Sequence, residues 1–190
     1  SWILPSIEKT IEIIRQKNTP YLGIIPDMSM FVQHIRESSY FVRAARRNGV
    51  RPDLIEFMKE AYENESNDAY RARCDEMLKS TTDPNEAAFI VQCRRTEYHD
   101  PRQLLEHMPY IVHIHGKFWE MDENCEETSI NYPAILPILA EGGYTGYISS
   151  EYEGGEVAGD PFEPLRRYQT MLDRYLGTYP GFQMPALGAK

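Results

Sequence analysis

Cysteine is scarce in this sequence, and long apolar runs are missing from it. The 190 residues include three cysteines, Cys74, Cys93 and Cys125, whose spacing matches neither paired zinc ligands nor a disulfide framework. Scattered, unpaired thiols are typical of reduced proteins, so we expect a cytoplasmic location. No apolar stretch approaches the roughly 20 residues that a transmembrane helix needs. We therefore expect neither a signal peptide nor a membrane partner.

Basic residues are outnumbered by acidic ones. The chain has 20 Lys and Arg against 29 Asp and Glu, which gives a formal net charge of −9. A surface of that sign repels the phosphates of nucleic acids and of anionic lipids, so we expect neither as a partner. An endonuclease is also disfavoured, because it would need further metal ligands and a basic surface. The hydrophobic content of 42% is enough for a sizeable core.

Three apolar, strand-like runs each end in a residue that can bind a hard metal ion. We predict these strands near residues 21–26, 110–115 and 145–150. The three end residues are Asp27, His115 and Glu151. Because an α/β barrel carries its chemistry at the carboxyl ends of its strands, these side chains are expected to meet around one site.

The ligand chemistry of these three residues is that of a hard cation. Two carboxylates and one imidazole suit Mn²⁺ or Mg²⁺, with Co²⁺ or Zn²⁺ also possible. Each residue has an alternative role as well. Asp27 could start a turn after Pro26, His115 could be a hydrogen-bonded core histidine, and Glu151 could be a solvated loop acid.

Two further side chains of the second strand are candidates for binding a substrate. His113 shares a strand face with His115 by the two-residue period, and we assign it a hydrogen bond to substrate rather than a metal bond. Lys117 could reach a substrate hydroxyl or a developing oxyanion, or it could be a solvated loop lysine. Glu151 can both hold the cation and move a proton, provided that one of its oxygens stays free.

The spacing of the candidate ligands predicts the architecture. His115 and Glu151 are 36 residues apart, about one βαβ unit, whereas Asp27 and His115 are 88 apart. We assign the excess, residues 31–98, to a helical insertion at the mouth of the site, acting as a lid, substrate wall, oligomer contact or passive elaboration.

The predicted fold class is α/β, the C-terminal part of a (β/α)8 TIM barrel with that insertion after its first visible strand. A complete barrel takes roughly 250 residues, so three strands predict a missing N-terminal half or a homo-oligomer that covers the open edge. Residues 177–190, rich in Pro and Gly, are predicted to form a loose C-terminal tail.

The order Asp27, then His113-Ile-His115-Gly-Lys117, then Ser-Ser-Glu151-Tyr-Glu resembles the last three strands of the xylose isomerase-like TIM barrels, the sugar phosphate isomerase/epimerase family. The resemblance implies that Asp27, His115 and Glu151 are the second, third and fourth ligands of a divalent metal. It also implies a first ligand, a glutamate, on a strand before residue 1.

By the same resemblance, the chain is expected to be a sugar isomerase or epimerase that moves a proton next to a carbonyl through an enediol-like intermediate. Met30 stands where many epimerases of the family place a histidine, three residues after the aspartate. One alternative is therefore a C-glycoside deglycosidase subunit of the same barrel family, which acts on an oxidised sugar with a small second subunit. Another is a non-catalytic, degenerate barrel that serves as a binding or assembly module. Metal content separates the enzyme from the module.

Overall fold

Helices and a short parallel sheet make up the described part of the chain. The computed structural model describes residues 5–155, 160 and 162–177. Its helices are α1 (Pro5–Lys17), α2 (Tyr40–Arg47), α3 (Pro52–Asn64), α4 (Asn67–Ser80), α5 (Pro84–Arg95), α6 (Leu104–His107), α7 (Tyr132–Glu141) and α8 (Glu163–Leu176). Its strands are β1 (Ile114–Phe118) and β2 (Ile148–Tyr152). Short 3-10 helices cover Met28–Phe31, Pro101–Gln103 and Met108–Tyr110. None of the described helices combines the length and the apolar character that crossing a membrane requires.

The sheet joins three parallel segments of the chain. Strands β1 and β2 pair in parallel, with His115 opposite Ser149 and Lys117 opposite Glu151. Residues 24–27, here called the first segment, lie along β1 and the residues before it through parallel bridges. Two backbone hydrogen bonds, from Ile24 N to Tyr110 O (2.8 Å) and from His115 N to Pro26 O (3.0 Å), fix this register. The three predicted strand ends therefore lie side by side.

The strands are shorter than predicted, and they lie further along the chain. The region predicted as a strand near 21–26 forms only isolated bridges, because Pro20 and Pro26 have no N–H to donate to a ladder. The strand predicted near 110–115 begins at Ile114, after a 3-10 turn that contains Pro109. The strand predicted near 145–150 spans 148–152. The mixed α/β character of the fold is as predicted.

The two faces of β1 differ sharply. Ile114 and Phe118 are completely buried, and Phe118 stacks on Tyr168 of α8 with ring centroids 4.2 Å apart. His115 and Lys117 alternate with them and point to the opposite face, because successive side chains of a strand alternate in direction. Apolar residues thus anchor the sheet on its helices, and polar residues remain available on the other face.

The segment between the first and second sheet segments is mainly helical, and that residues 31–98 are an insertion into a barrel stays a prediction. It holds α2 to α5, and side chains cap the starts of α4 and α5: Ser66 accepts the N–H of Ala69, and Asp83 accepts those of Asn85 and Glu86. The buried Tyr62 connects α3 to the residues that follow the first segment, because its hydroxyl donates a hydrogen bond to Val32 O at 2.8 Å. Of the tail predicted at 177–190, residues 178–190 lie outside the described residues.

A buried carboxylate holds the loop that follows β1. Glu127 is 7% exposed, and its two oxygens accept four backbone N–H groups, those of Trp119, Glu120, Ser129 and Ile130. Burial raises the pKa of Glu127 to about 7, although the four N–H donors act in the opposite direction. The loop therefore turns around this one side chain and returns to pair Ile130 with Val32.

Candidate metal centre

The two carboxylate oxygens of Asp27 have different partners, one in the backbone and one in the site. Its Oδ1 accepts the N–H of Ser29 at 2.9 Å and so caps the 3-10 helix Met28–Phe31. Its Oδ2 faces the Nζ of Lys117 at 3.1 Å. The turn-starting role and the site role are therefore compatible, because one oxygen serves each.

His115 and Glu151 face each other across neighbouring strands. Nδ1 of His115 lies 3.5 Å from Oε2 of Glu151, and this oxygen is buried and has no hydrogen-bond partner among the described residues. One ligand atom each from Asp27, His115 and Glu151 lies within 4.8 Å of the others. The structure thus brings the three side chains together as the strand ends predict, while their binding of a metal stays a prediction.

Lys117 lies among the carboxylates of the same cluster. Its Nζ is 3.1 Å from Asp27 Oδ2, 3.6 Å from Glu151 Oε1 and 3.1 Å from Glu153 Oε1. Burial acts to lower the pKa of Lys117, but hydrogen bonds with Asp27 and Glu153 outweigh it, so the pKa is raised above its ordinary value. With a side chain only 14% exposed, Lys117 is not the solvated loop lysine of the alternative interpretation.

His113 lies beside His115, as the strand period predicts, with ring centroids 5.9 Å apart. Its Nε2 lies 3.1 Å from the hydroxyl of Ser149, which donates its own hydrogen to Ile114 O at 3.2 Å. Because that hydroxyl has a single hydrogen, it accepts from His113, and Nε2 carries the proton. Nδ1 is the other ring nitrogen, and it is placed to bind a substrate hydroxyl.

Two residues that the sequence did not indicate support the end of β1 from the helices packed against it. The hydroxyl of Tyr132 donates to Lys117 O at 2.7 Å, and that of Tyr168 donates to Tyr132 at 3.0 Å. Both rings are fully buried, and burial raises the pKa of each hydroxyl well above its ordinary value. No pattern in the sequence links these tyrosines to the site, since they come from α7 and α8. Ser149 could have been found, because it lies two residues before Glu151 on the same strand face.

Arg43 links the helical segment to the site. Its Nη2 donates to Glu153 O at 2.8 Å, and Nη1 lies where a side chain on Gly155 would be. The Glu153 N–H continues the sheet by donating to Phe118 O at 3.0 Å. Helix α2 is thereby fastened to the end of the strand that carries Glu151.

Gly116 is expected to tolerate no side chain. A Cβ there would lie 2.6 Å from Ile148 Cγ2 and 2.8 Å from Ser149 O, and closer still to the hydroxyl of Tyr168. Gly116→Ala should cost about 1–3 kcal/mol of unfolding free energy, because the strand must shift away from α8. Chemical denaturation of Gly116→Ala and of the wild type measures this loss. Equal stability of Gly116→Ala and the wild type would show that β1 can move freely.

Comparisons with known proteins point to one kind of enzyme. No protein-family model matches the chain. The chain is 29% identical to the 3'-dehydrocarminate deglycosidase alpha subunit of Microbacterium sp over 196 aligned positions, which cover 91% of this chain and 53% of that protein. It is 36% identical over 93 residues to a C-glycoside deglycosidase alpha subunit of Arthrobacter globiformis, covering 46% of this chain and 26% of that protein. A 46-residue stretch is 54% identical to the C-glycoside deglycosidase alpha subunit of Microbacterium trichothecenolyticum.

The chain spans about half the length of the Microbacterium sp relative, which it matches along most of its own length. These relatives are named as enzyme subunits, and their names do not include an isomerase or epimerase. The similarity therefore favours the C-glycoside deglycosidase alternative over the isomerase that we expected first.

Proposed function

We propose that this chain is part of the alpha subunit of a C-glycoside deglycosidase, with its active site at Asp27, His115 and Glu151. The observation that carries the proposal is the convergence of these three side chains at adjacent strand ends. The names of the relatives supply the reaction class, and one of them specifies a 3'-dehydro substrate. We infer that the substrate is an aromatic C-glycoside whose sugar carries a 3-oxo group.

The donor set fits a divalent cation. In the part of the chain that the structure describes, Glu151 Oε2 is buried without a hydrogen-bond partner and faces an imidazole nitrogen, an arrangement that a cation would complete. Asp27, His115 and Glu151 would hold it, and the mixture of carboxylate oxygen and imidazole favours Mn²⁺ or Mg²⁺. Bound next to a ketone, such a cation stabilises negative charge on oxygen by several kcal/mol.

The chemistry required of the protein is proton transfer. In a 3-oxo-C-glycoside, the C2 hydrogen is acidic because the neighbouring ketone delocalises the charge. When the C2–H bond breaks, its electron pair is delocalised onto the ketone oxygen as an enolate. The C1=C2 double bond forms as the bond from C1 to the aglycone carbon breaks, and the electron pair of the broken bond stays on the aglycone carbon, which takes up a proton from solvent. We assign removal of the C2 proton to Glu151 Oε1, which lies 3.6 Å from Lys117 Nζ, beyond hydrogen-bond distance.

His113 is proposed to orient the sugar. Its Nδ1 forms a hydrogen bond with a sugar hydroxyl while Ser149 holds its other nitrogen. This gives binding and orientation without a proton transfer by His113. Lys117, at 3.1 Å from both Asp27 and Glu153, adds positive charge where an oxyanion would form.

A sugar isomerase or epimerase is the second candidate, because it needs the same proton transfer next to a carbonyl. The order of Asp27, His115 and Glu151 along parallel segments favours it. In both cases we propose that the sheet belongs to a xylose isomerase-like barrel. The exposed apolar side chains at the amino ends of the sheet segments fit that arrangement, since further strands would cover them: Tyr21, Leu22, Ile25, Val112 and Tyr147.

The test uses the full-length encoded protein together with its partner subunit, and it compares two kinds of substrate. A 3-oxo-C-glycoside with an aromatic aglycone should be cleaved, and a panel of ketoses should remain unchanged. Chelation should abolish cleavage, and Mn²⁺ should restore it. Ketose epimerisation without C-glycoside cleavage would transfer the assignment to the second candidate. Absence of divalent metal together with absence of both activities would favour the binding module.

A further inference from the structure

The ammonium of Lys117 occupies the position of a cation among acidic groups. It lies 3.1 Å from Asp27 Oδ2 and 3.6 Å from Glu151 Oε1, two of the three proposed ligands. Among the described residues, Lys117 is the only Lys or Arg that forms an ion pair with Asp27 or Glu151. Lys117 is therefore the one Lys or Arg side chain of the described residues that offsets part of the negative charge of these two carboxylates.

A divalent cation bound by Asp27, His115 and Glu151 would lie close to that ammonium, because the ligand atoms lie within 4.8 Å of one another. Two positive charges at such a distance repel strongly where solvent is partly excluded. Either the ammonium moves away or the cation binds weakly. The third contact of Lys117 offers a place to move to, since Glu153 is outside the ligand set and lies 3.1 Å from Nζ.

The position of Glu153 is itself fixed. Its N–H donates to Phe118 O at 3.0 Å, and its carbonyl accepts from Arg43 at 2.8 Å. Its side chain remains 45% exposed, which leaves room on that side for the ammonium. Glu153 can therefore hold Lys117 when Asp27 and Glu151 turn to another cation.

We propose that Lys117 is an exchangeable internal counter-ion of this centre: it neutralises Asp27 and Glu151 before a divalent cation binds, and withdraws to Glu153 when one does. This inference rests on the proposed function. Lys117 thereby sets how tightly the centre holds its metal. Its positive charge becomes available to the substrate only after a divalent cation has displaced it from Asp27 and Glu151.

The test measures Mn²⁺ affinity rather than activity. Lys117→Met should bind Mn²⁺ at least about tenfold more tightly than the wild type, because a competing positive charge is gone. Electron paramagnetic resonance measures free Mn²⁺ while Mn²⁺ is titrated into the full-length encoded protein. Isothermal titration calorimetry gives the same dissociation constant independently. The metal-free variant should melt at a lower temperature than the metal-free wild type. Saturating Mn²⁺ should raise the melting temperature of the variant by more than it raises that of the wild type.

A matched control is Lys59→Met. Lys59 is 19% exposed and bridges Glu37 (2.9 Å) and Glu56 (3.0 Å), so it resembles Lys117 in burial and partners but lies outside the centre. Its replacement should leave Mn²⁺ affinity unchanged. Lys117→Gln provides the same test with a polar side chain if Lys117→Met does not fold.

A double-mutant cycle tests the withdrawal to Glu153. Glu153→Gln should weaken Mn²⁺ binding in the wild type, and it should do so much less in the Lys117→Met background. Equal effects in both backgrounds would overturn the role of Glu153.

Equal or weaker Mn²⁺ binding by Lys117→Met would overturn the counter-ion proposal while leaving the metal centre intact. Failure of both proteins to bind Mn²⁺ would overturn the metal centre, and the counter-ion proposal with it.

Discussion

Glu151→Gln is expected to lower turnover by about 100- to 10,000-fold, the range that a positioned acid or base contributes. The amide keeps the shape of the side chain but cannot accept the proton from carbon, and it is a weaker metal ligand. Because the fold places Glu151 on a half-exposed polar face rather than in the core, the variant should unfold at nearly the same denaturant concentration as the wild type.

Two measurements separate proton transfer from binding in this variant. Exchange of solvent hydrogen into C2 of a 3-oxo-glycoside should be lost along with cleavage. His113→Ala serves as the comparison, since it should raise KM with little change in kcat if His113 only orients the sugar. Undiminished hydrogen exchange in Glu151→Gln would remove Glu151 from the proton-transfer step.

Glu127→Ala is expected to cost about 4 kcal/mol or more, since it leaves buried backbone N–H groups without an acceptor at about 1–3 kcal/mol each. Three of the N–H groups that depend on this carboxylate, those of Trp119, Ser129 and Ile130, are buried, and that of Glu120 is partly buried. The loop after β1 would lose its shape, and with it the pairing of Ile130 with Val32. Urea denaturation followed by circular dichroism measures the loss.

Glu127→Gln refines that measurement, because the amide keeps one acceptor oxygen and should recover part of the stability. The pKa of Glu127 is raised from 4.5 to about 7, so the folded state holds a proton over that range and the unfolded state does not. The unfolding free energy contributed by Glu127 should accordingly fall as pH rises from about 4.5 to about 7. Glu127→Gln should lack this slope. An identical pH dependence in the two proteins would show that another group is responsible.

Helix starts in this chain carry local sequence signals, whereas strand limits do not. Pro52, Ser66, Asp83 and Pro84 are local signals, and the helices that they start begin where such residues predict. Strand limits depend on hydrogen bonds to residues far along the chain, and these have no local signature. Ile114 begins β1 because its partner is Ile148, and nothing near Ile114 in the sequence specifies that partner.

The cluster of Asp27, His115 and Glu151 was predictable because strand ends converge in a parallel sheet, whatever the exact strand limits. The supporting residues were not predictable. Tyr132 and Arg43 reach the strand ends from helices, and which helix face meets the sheet is decided by tertiary packing. The position of Lys117 among three carboxylates likewise depends on Glu153 following Glu151 on the same face.

The distance along the chain between the first segment and β1 has a consequence for the folding pathway. Asp27 and His115 pair directly, yet 88 residues separate them, whereas β1 and β2 are joined by a single short crossover. Closing a longer loop costs more chain entropy, so the contact of Asp27 with His115 must wait until the intervening helices have become compact. During synthesis, Asp27 leaves the ribosome long before either of its neighbours in the centre. The centre should therefore be completed late in folding, after α2 to α5 have formed.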